Sequence, residues 1–352
     1  MLVGVNDPKT MSAILGLTGV LWGLGRLKEA INLQERVVNS RRKVLGSEHR
    51  ETLQAIDSLG QSFWLNGQYC KALEIQQQTA EKIRLHLGGD DDNTLNALDH
   101  LGVTLGSWHR YTESRDIHQR ILEIRRKMLN SNDLRVLETK NNLAMALLDL
   151  RQLHVAKALM EDVYKGRMAQ MGKEHPYTLW ALCYLSKIYI EEGELQKAEQ
   201  ILVEGIAAGR QSLGEDHLRV LVGCSKLARA YTRQGRLDEA KALTLETVEK
   251  VKHSRGNEHP DYTTGMMKLG QLYEKKEEKA KAISSYRITL LATERRLTAK
   301  HPLHDIISGR ITFLERSCTG AIASERSDIA NSSVTTAIDE LDIKSLQPTQ
   351  TW

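Results

Sequence analysis

The chain has 352 residues, with 49 lysines and arginines against 45 aspartates and glutamates, and a formal net charge of +4 at pH 7. A charge this small and mixed gives no indication of a nucleic-acid partner, and no apolar run is long enough for a transmembrane helix. The four cysteines form no Cys-x-x-Cys pair. This favours reduced thiols in a cytoplasmic protein over a disulfide framework.

An internal repeat of 42 residues runs through the sequence. A segment that opens with Leu45-Gly46 recurs at every step of 42 residues, and one step backward it opens at Val3. The later openings are Leu87, Leu129, Met171, Leu213, Arg255 and Leu297. A fixed period of this kind is typical of a solenoid, in which each unit can bury its apolar face only against its neighbours.

The first half of each unit predicts a helix, named helix A here. In all seven full units a leucine stands fourteen residues after the opening position, a small residue follows it, and a large apolar residue stands four positions after the leucine. A spacing of four places the two apolar side chains on one face of an α-helix. The core leucines are Leu17, Leu59, Leu101, Leu143, Leu185, Leu227 and Leu269.

A break and a second helix, helix B, complete each unit. Glycine can supply the positive φ that ends helix A, and the break holds Gly25, Gly67, Gly193 or Gly235 in four units. His109, Arg151 and Glu277 stand there in the other three, so a different kind of corner is expected in those units. Helix B then carries a small residue followed three positions later by an aliphatic one, as in Ala198 and Ile201.

Five histidines share one repeat position just before helix A: His49, His175, His217, His259 and His301. Proline follows three of them directly, at a position where its missing N–H does no harm to a helix start. We therefore expect these histidines to be caps or turn residues rather than catalytic groups.

The order Leu-small-x-x-Tyr, then glycine, then small-x-x-aliphatic resembles the tetratricopeptide repeat. It is most complete in LSKIYIEEGELQKAEQIL and LARAYTRQGRLDEAKAL. The family period is usually about 34 residues, so each helix here would be about one turn longer. The 42-residue form with its Leu-Gly-x-Asp/Glu-His-Pro linker is similar to the repeats of kinesin light chains and of related fungal and bacterial receptor-like proteins. The resemblance implies an all-α, right-handed superhelical solenoid of seven helical hairpins and a C-terminal cap helix over residues 3–316.

The sequence holds no recognisable enzyme motif. Phosphate-binding loops, dinucleotide fingerprints, zinc-protease motifs and nucleophile elbows are all missing from it. His301 and His304 form a His-x-x-His pair, but a zinc site needs three or four ligands. We therefore expect no catalytic residue, no metal site and no cofactor.

Tetratricopeptide ligands lie against the inner faces of the A helices, so the resemblance implies a groove that binds a peptide or protein segment. Its residues in the first half of the chain are Gln54, Asp57, Gln61, Trp64, Asn96, Asp99, Glu138, Asn141, Met145 and Asp149, and in the second half Trp180, Lys187, Arg229, Arg233, Gln271 and Lys275. The first set is acidic and the second leans basic, which predicts a ligand with one basic and one acidic segment. Asn141-Asn142 resembles the asparagines with which kinesin light chains grip a peptide backbone.

The two ends of the chain differ. Residues 317–352 are rich in serine and threonine and are predicted to be disordered, although Ile338, Leu341, Ile343 and Leu346 form a short amphipathic segment suited to docking. Helix A of the first repeat carries an apolar set without a polar cap: Leu15, Leu21, Trp22 and Leu24. We expect either that an upstream repeat or domain covers the set or that the chain is a truncated gene product, and the chain expressed alone is predicted to self-associate through this end.

The leading functional hypothesis is a non-enzymatic cytoplasmic scaffold with a protein or peptide partner, and without a nucleic-acid or membrane partner. Two alternatives stay open: a sensor or regulatory segment of a larger receptor-like protein that contains an NTPase module, and a cargo adaptor of the kinesin-light-chain type.

Overall fold

The computed structural model describes residues 8–23, 26–257, 259–296 and 302–318. In these ranges the chain forms fifteen α-helices and no strand. They are α1 (Pro8–Gly23), α2 (Leu27–Leu45), α3 (Arg50–Leu65), α4 (Tyr69–Leu87), α5 (Asp92–Ser107), α6 (Tyr111–Met128), α7 (Leu134–Asp149), α8 (Leu153–Met171), α9 (Pro176–Glu192), α10 (Leu195–Leu213), α11 (Leu218–Arg233), α12 (Leu237–Arg255), α13 (Pro260–Lys275), α14 (Lys279–Arg296) and α15 (Pro302–Cys318). The all-α class is confirmed, and predicted helices A and B alternate from α1 to α14.

The helices divide into two compact units, with α1 to α8 in the first and α9 to α15 in the second. Helices that are adjacent in sequence pack together from α1 to α7 and from α9 to α15. Successive A helices also touch directly: α3 with α5 and α5 with α7 in the first unit, and α9 with α11 in the second. The A helices α3, α5 and α7 therefore share one continuous face in the first unit, as do α9 and α11 in the second.

The repeated leucine of helix A lies in the core, with 2 to 8% of its surface exposed in Leu59, Leu101, Leu143, Leu185, Leu227 and Leu269. The small residue after it allows helix B to approach closely. A Cβ atom on Gly102 would lie 2.7 Å from the ring of His118, and one on Gly270 would lie 2.6 Å from the ring of Tyr286. The pair of leucine and small residue is thus explained by helix packing.

The histidines before helix A act as N-caps. The side chains of His49, His175, His217 and His259 each accept a hydrogen bond from the backbone N–H two residues later, which satisfies a donor that the helix start leaves free. Asp91 and Asp133 cap α5 and α7 in the same way. The prediction is confirmed for these four histidines, while His301 lies outside the described residues.

The corners without glycine have the same backbone as the corners with it. His109, Arg151 and Glu277 adopt φ values of 61°, 61° and 59°, close to the 75° of Gly67 and the 81° of Gly193. The expectation of a different corner was wrong. The next residue closes the same backbone hydrogen bond in each case, from Arg110 N to Leu105 O as from Gln68 N to Phe63 O. The packing of the two helices therefore outweighs the free-energy cost of a left-handed conformation in a residue that has a Cβ.

Replacing Arg151 or Glu277 by glycine should therefore stabilise the protein. Each substitution relieves a left-handed conformation that costs roughly 1 kcal/mol in a residue with a Cβ, and we expect a gain of about 0.5–1 kcal/mol in the free energy of unfolding by urea denaturation. The reverse change at an equivalent corner, Gly193→Ala, should cost about 1 kcal/mol. If all three variants were as stable as the parent protein, the corners would not be strained.

The first repeat exposes apolar surface, but not through the residues expected. Leu21 is buried, and Trp22 is half-buried with its Nε1 donating a 2.7 Å hydrogen bond to Ser62 Oγ on α3. Among the described side chains of α1, the large apolar ones that are exposed are Leu17, at 48%, and Val20, at 57%. Leu24 and the side chain of Leu15 lie outside the described part of the chain. Leu17 holds the core position, yet no described helix packs on that side of α1.

The last helix has the character of a cap. Ile307, Ile311 and Leu314 are buried in a cluster with Met267, Ala282 and Tyr286, whereas Asp305 is exposed. One face of α15 therefore covers apolar side chains of α13 and α14, while the other exposes Asp305, Thr312 and Arg316 together with the ring of Phe313. The predicted disordered tail falls outside the described residues beyond Cys318.

Candidate functional site

The predicted groove residues of the first unit lie on α3, α5 and α7, which share one face. Asp57 on α3 is buried, and its Oδ2 lies 2.7 Å from Nδ1 of His100 on α5. The amide of Gln61 lies against the same imidazole, with its Nε2 3.1 Å from His100 Nε2. Burial lowers the pKa of His100, but the charge and hydrogen bond of Asp57 outweigh burial, so this pKa is raised. Asp57 and His100 thus form a buried ion pair between adjacent repeats.

Asp99 on α5 makes the corresponding contacts one repeat later. Its Oδ2 accepts a 2.9 Å hydrogen bond from Asn142 Nδ2 on α7, and its Oδ1 lies 3.2 Å from Nδ1 of His118 on α6. Burial raises the pKa of Asp99, but the hydrogen bond and charge of His118 outweigh burial and lower it. The acidic character predicted for this half of the groove is therefore offset, because two of its acids are paired with histidines.

Glu138 on α7, a third acid of this face, has a different electrostatic environment from Asp57 and Asp99. It is half-buried, and burial together with the charge of Asp99 raises its pKa to about 7. His100 on α5, Arg125 on α6 and Arg167 on α8 act in the opposite direction. Glu138 therefore changes its charge near neutral pH.

Replacing Glu138 by Gln should stabilise the protein at high pH. The folded-state pKa of about 7 exceeds the unfolded value of about 4.3, so the unfavourable effect of Glu138 is absent below pH 4, grows between pH 4 and 7, and is complete above pH 7. We expect the variant to be more stable than the parent at pH 8 and equally stable at pH 4. Urea denaturation across this range, with Glu74→Gln on the surface of α4 as control, measures the difference. A stability difference independent of pH would contradict the assignment.

Asn141 carries an unsatisfied acceptor on this face. Its Nδ2 contacts Asn142 Oδ1 at 3.1 Å and the Sδ atom of Met145 at 3.5 Å, but its buried Oδ1 has no hydrogen-bond partner. Buried acceptors without a partner are rare in folded proteins. Met145 beside it is half-buried and unbranched, so its side chain can move away at low cost.

The remaining predicted residues of the first unit have mixed surroundings. Trp64 is buried in the core, with its Nε1 donating to Ser107 Oγ at 2.8 Å, so its ring does not line the surface. Gln54 donates to Asn93 at 2.8 Å, while the exposed Asn96 accepts a 2.6 Å hydrogen bond from Arg125. Asp149 is half-buried at the end of α7. Asn96 is thus the exposed member of the set, and Gln54, Glu138, Met145 and Asp149 are half-buried.

In the second unit, the predicted residues lie on α9, α11 and α13. Trp180 is half-buried under the guanidinium of Arg219, which lies 4.1 Å from the centre of its ring. Arg229 forms a 2.6 Å ion pair with Glu191, and Lys187 is buried. Gln271 is half-buried and its Nε2 has no hydrogen-bond partner, whereas the side chains of Arg233 and Lys275 are exposed. Arg233 and Lys275 provide the accessible positive charge.

Sequence reasoning missed the partners of the groove acids. His100, His118 and Arg125 were not predicted as site residues, and Asn142 was expected to hold a ligand rather than Asp99, yet these side chains fix Asp57, Asp99 and Asn96. A signal was present in the spacing: Asp57 and His100 are 43 residues apart, as are Asp99 and Asn142, and Gln61 and His100 are 39 apart. These separations are one repeat plus one and one repeat minus three, the positions at which adjacent A helices face each other.

The described part of the chain contains no cluster of three or more histidine, cysteine, aspartate or glutamate side chains that could hold a metal ion. Within the same residues, no helix combines the length and apolar character needed to cross a bilayer.

Two sequence models of the tetratricopeptide repeat match the chain, one over residues 10–82 and 135–211 and the other over residues 94–134 and 220–261. Together they cover about two thirds of the sequence. The chain belongs to the tetratricopeptide repeat family. A comparison with curated protein sequences finds no significant match.

Solved structures with the same repeats support the fold. The putative kinesin light chain of Podosopora anserina, with nearly identical repeats, is 24% identical, covers 59% of this chain and 98% of its own, and has a TM-score of 0.50. A Rap protein complexed with competence and sporulation factor is 12% identical over 89% of this chain and 99% of its own, with a TM-score of 0.51. The Rap conjugation gene regulator of the plasmid pLS20, in complex with a Phr peptide, is 13% identical over 88% of this chain and 75% of its own, with a TM-score of 0.59. At these identities the tetratricopeptide likeness concerns the fold alone.

Proposed function

We propose that this chain is a non-enzymatic cytoplasmic scaffold that binds a peptide or protein segment along the helix-A face of its repeats. The observation that carries the proposal is the unpartnered Oδ1 of Asn141, because a backbone N–H of an extended peptide is the donor that it lacks. The exposed Asn96 and the half-buried Glu138 and Met145 lie on the same face. The Rap neighbours, which are seen in complex with a factor or a peptide, add support to this class of ligand.

Selection of peptides from a random display library against the full chain tests the proposal. We expect a selected peptide to bind Asn141→Ala about two- to tenfold more weakly than the parent, which is the range of one net hydrogen bond. Asn32→Ala, an exposed asparagine on α2, is the matched control and should leave the affinity unchanged. Equal affinity for both variants, or failure to select any peptide, would contradict binding at this face.

In the second unit, Arg233 is the better residue for testing electrostatic orientation of the ligand. Arg229 is paired with Glu191 at 2.6 Å, so its reversal would also disturb the fold, whereas Arg233 is about half exposed and its contact with the same carboxylate is longer, at 4.0 Å. Arg233→Glu should slow association of an acidic ligand and weaken the salt dependence of the association rate.

Two finer roles rest on the same binding face. A kinesin-light-chain type of cargo adaptor would use the Asn141-Asn142 pair, but Asn142 is bound to Asp99 at 2.9 Å, which leaves one asparagine for a ligand. A sensor segment of a receptor-like protein would need an NTPase module, and a phosphate-binding loop encoded in the same gene would favour that role.

Self-association is a further proposal, and it rests on the exposed Leu17 and Val20 of α1. We expect the parent to associate at high concentration through this apolar face, and Leu17→Gln with Val20→Ser to be monomeric. Light scattering on both proteins measures the difference. A parent that is monomeric at high concentration would contradict the proposal.

A further inference from the structure

A second cleft lies on the helix-B side of the first unit, away from the proposed peptide site. Its volume is about 370 Å³, within the range of roughly 300–1,000 Å³ typical of ligand sites. Side chains along one face of α2 and one face of α4 form its walls, and side chains of α3 form its floor. The floor and lower walls are apolar, with Val38, Ile56, Phe63 and Ile75 among the lining side chains.

The rim of this cleft carries one cation on each wall, Arg42 on α2 and Lys82 on α4. Lys82 forms a 2.7 Å ion pair with Glu48. Arg42 is exposed and takes part in none of the ion pairs found among the described residues. Glu35 also lines the cleft, but it lies seven residues from Arg42 along α2, about 10 Å.

The equivalent residues of the second unit, four repeats later, show how the same cations are neutralised. Arg42 and Lys82 correspond to Arg210 and Lys250. Arg210 contacts Glu215 at 3.2 Å and Glu246 at 3.1 Å, and Lys250 contacts the same two acids at 2.6 and 2.7 Å.

Both of those acids are replaced in the first unit. Ser47 stands at the position of Glu215, and Gln78 at the position of Glu246. The α2–α4 cleft thus combines an apolar floor with one cation, Arg42, that lacks the carboxylates of its counterpart, while Lys82 is paired with Glu48 instead. A ligand that fills it must supply apolar side chains and acidic groups together.

The chain itself contains one segment of this composition. Residues 338–346, IDELDIKSL, interleave four apolar side chains with three acids and one lysine. They lie outside the described residues, and nineteen residues separate them from the end of α15 at Cys318.

We propose that the segment 338–346 binds in the α2–α4 cleft, with its apolar side chains on the α3 floor and an acid taking the place that Glu246 occupies beside Arg210 in the second unit. Bound in this way, the segment is a competitor for any other acidic, apolar ligand of the cleft. Because it is tethered to the chain, it competes at an effective concentration set by the length of the connection.

Fluorescence anisotropy with a labelled peptide of residues 335–350 and the full chain tests the proposal. In the variant Leu341→Ser, Ile343→Ser the chain's own segment no longer competes, so this variant should bind the peptide several-fold more tightly than the parent. Adding Arg42→Glu to the variant should weaken peptide binding about tenfold. Adding Gln78→Glu, which copies the internal acid of the second unit, should weaken it about threefold.

Arg126→Glu is the matched control, since Arg126 is exposed at the equivalent position of α6, and it should leave peptide binding unchanged. Circular dichroism checks that each variant is folded. The proposal is overturned if the peptide does not bind the double serine variant, or if Arg42→Glu and Arg126→Glu have equal effects. Loss of peptide binding in Asn141→Ala but not in Arg42→Glu would also overturn it, by placing the segment on the helix-A face.

Discussion

We expect Leu143→Ala and Leu185→Ala each to lower the free energy of unfolding by about 2–5 kcal/mol. Both leucines occupy the core position of helix A and are almost completely buried. Their loss leaves a cavity between two repeats that the close-packed helices cannot refill. Urea denaturation followed by circular dichroism measures the effect.

Leu17→Ala is the control for this prediction. Leu17 occupies the same repeat position but is largely exposed, so its truncation should change the free energy of unfolding by no more than about 0.5 kcal/mol. Equal losses in all three variants would show that Leu17 is as buried as the other two leucines, which would contradict the structure.

We expect Asp99→Ala to destabilise the protein by about 3–5 kcal/mol, the usual effect of removing one member of a buried charged pair. The substitution leaves the buried His118 without its acid and Asn142 without its acceptor. Thermal unfolding at pH 7 measures the loss.

Asp90→Ala removes the same charge from an exposed position and should have an effect within about 0.5 kcal/mol. If Asp99→Ala were as stable as Asp90→Ala, the carboxylate of Asp99 would not be held by its neighbours and would be free to contact a ligand.

Most of the fold could be predicted from the sequence because the repeat places equivalent residues in equivalent surroundings. The core leucines, the small residue beside each of them and the histidine caps all follow from one register. Where the prediction was wrong, packing between helices overrode a local preference. Arg151 and Glu277 adopt the left-handed conformation of glycine because the helix pair requires the same corner in every repeat.

The binding face was less predictable, for a physical reason. The register correctly indicates which side chains lie on helix A, but not which of them are neutralised by an adjacent repeat. From the sequence alone Asp57 is expected to be a free acid, but in the structure Nδ1 of His100 lies 2.7 Å from its Oδ2. Likewise, the repeat register predicts that Leu17 is a core residue, although no described helix covers it. Such outcomes depend on three-dimensional neighbours, which the sequence indicates only through spacings of one repeat plus or minus a few residues.

The central claim is that a peptide or protein segment binds along the helix-A face. Photo-cross-linking of a selected peptide that carries a benzophenone side chain, followed by mass spectrometry of the full chain, tests it most directly. The predicted result is cross-linking to residues of α5 and α7 on that face. Met145 in particular should react, since it lies beside Asn141, whose Oδ1 has no partner. Cross-linking confined to the B helices, such as at Gln78 on α4, would contradict the claim.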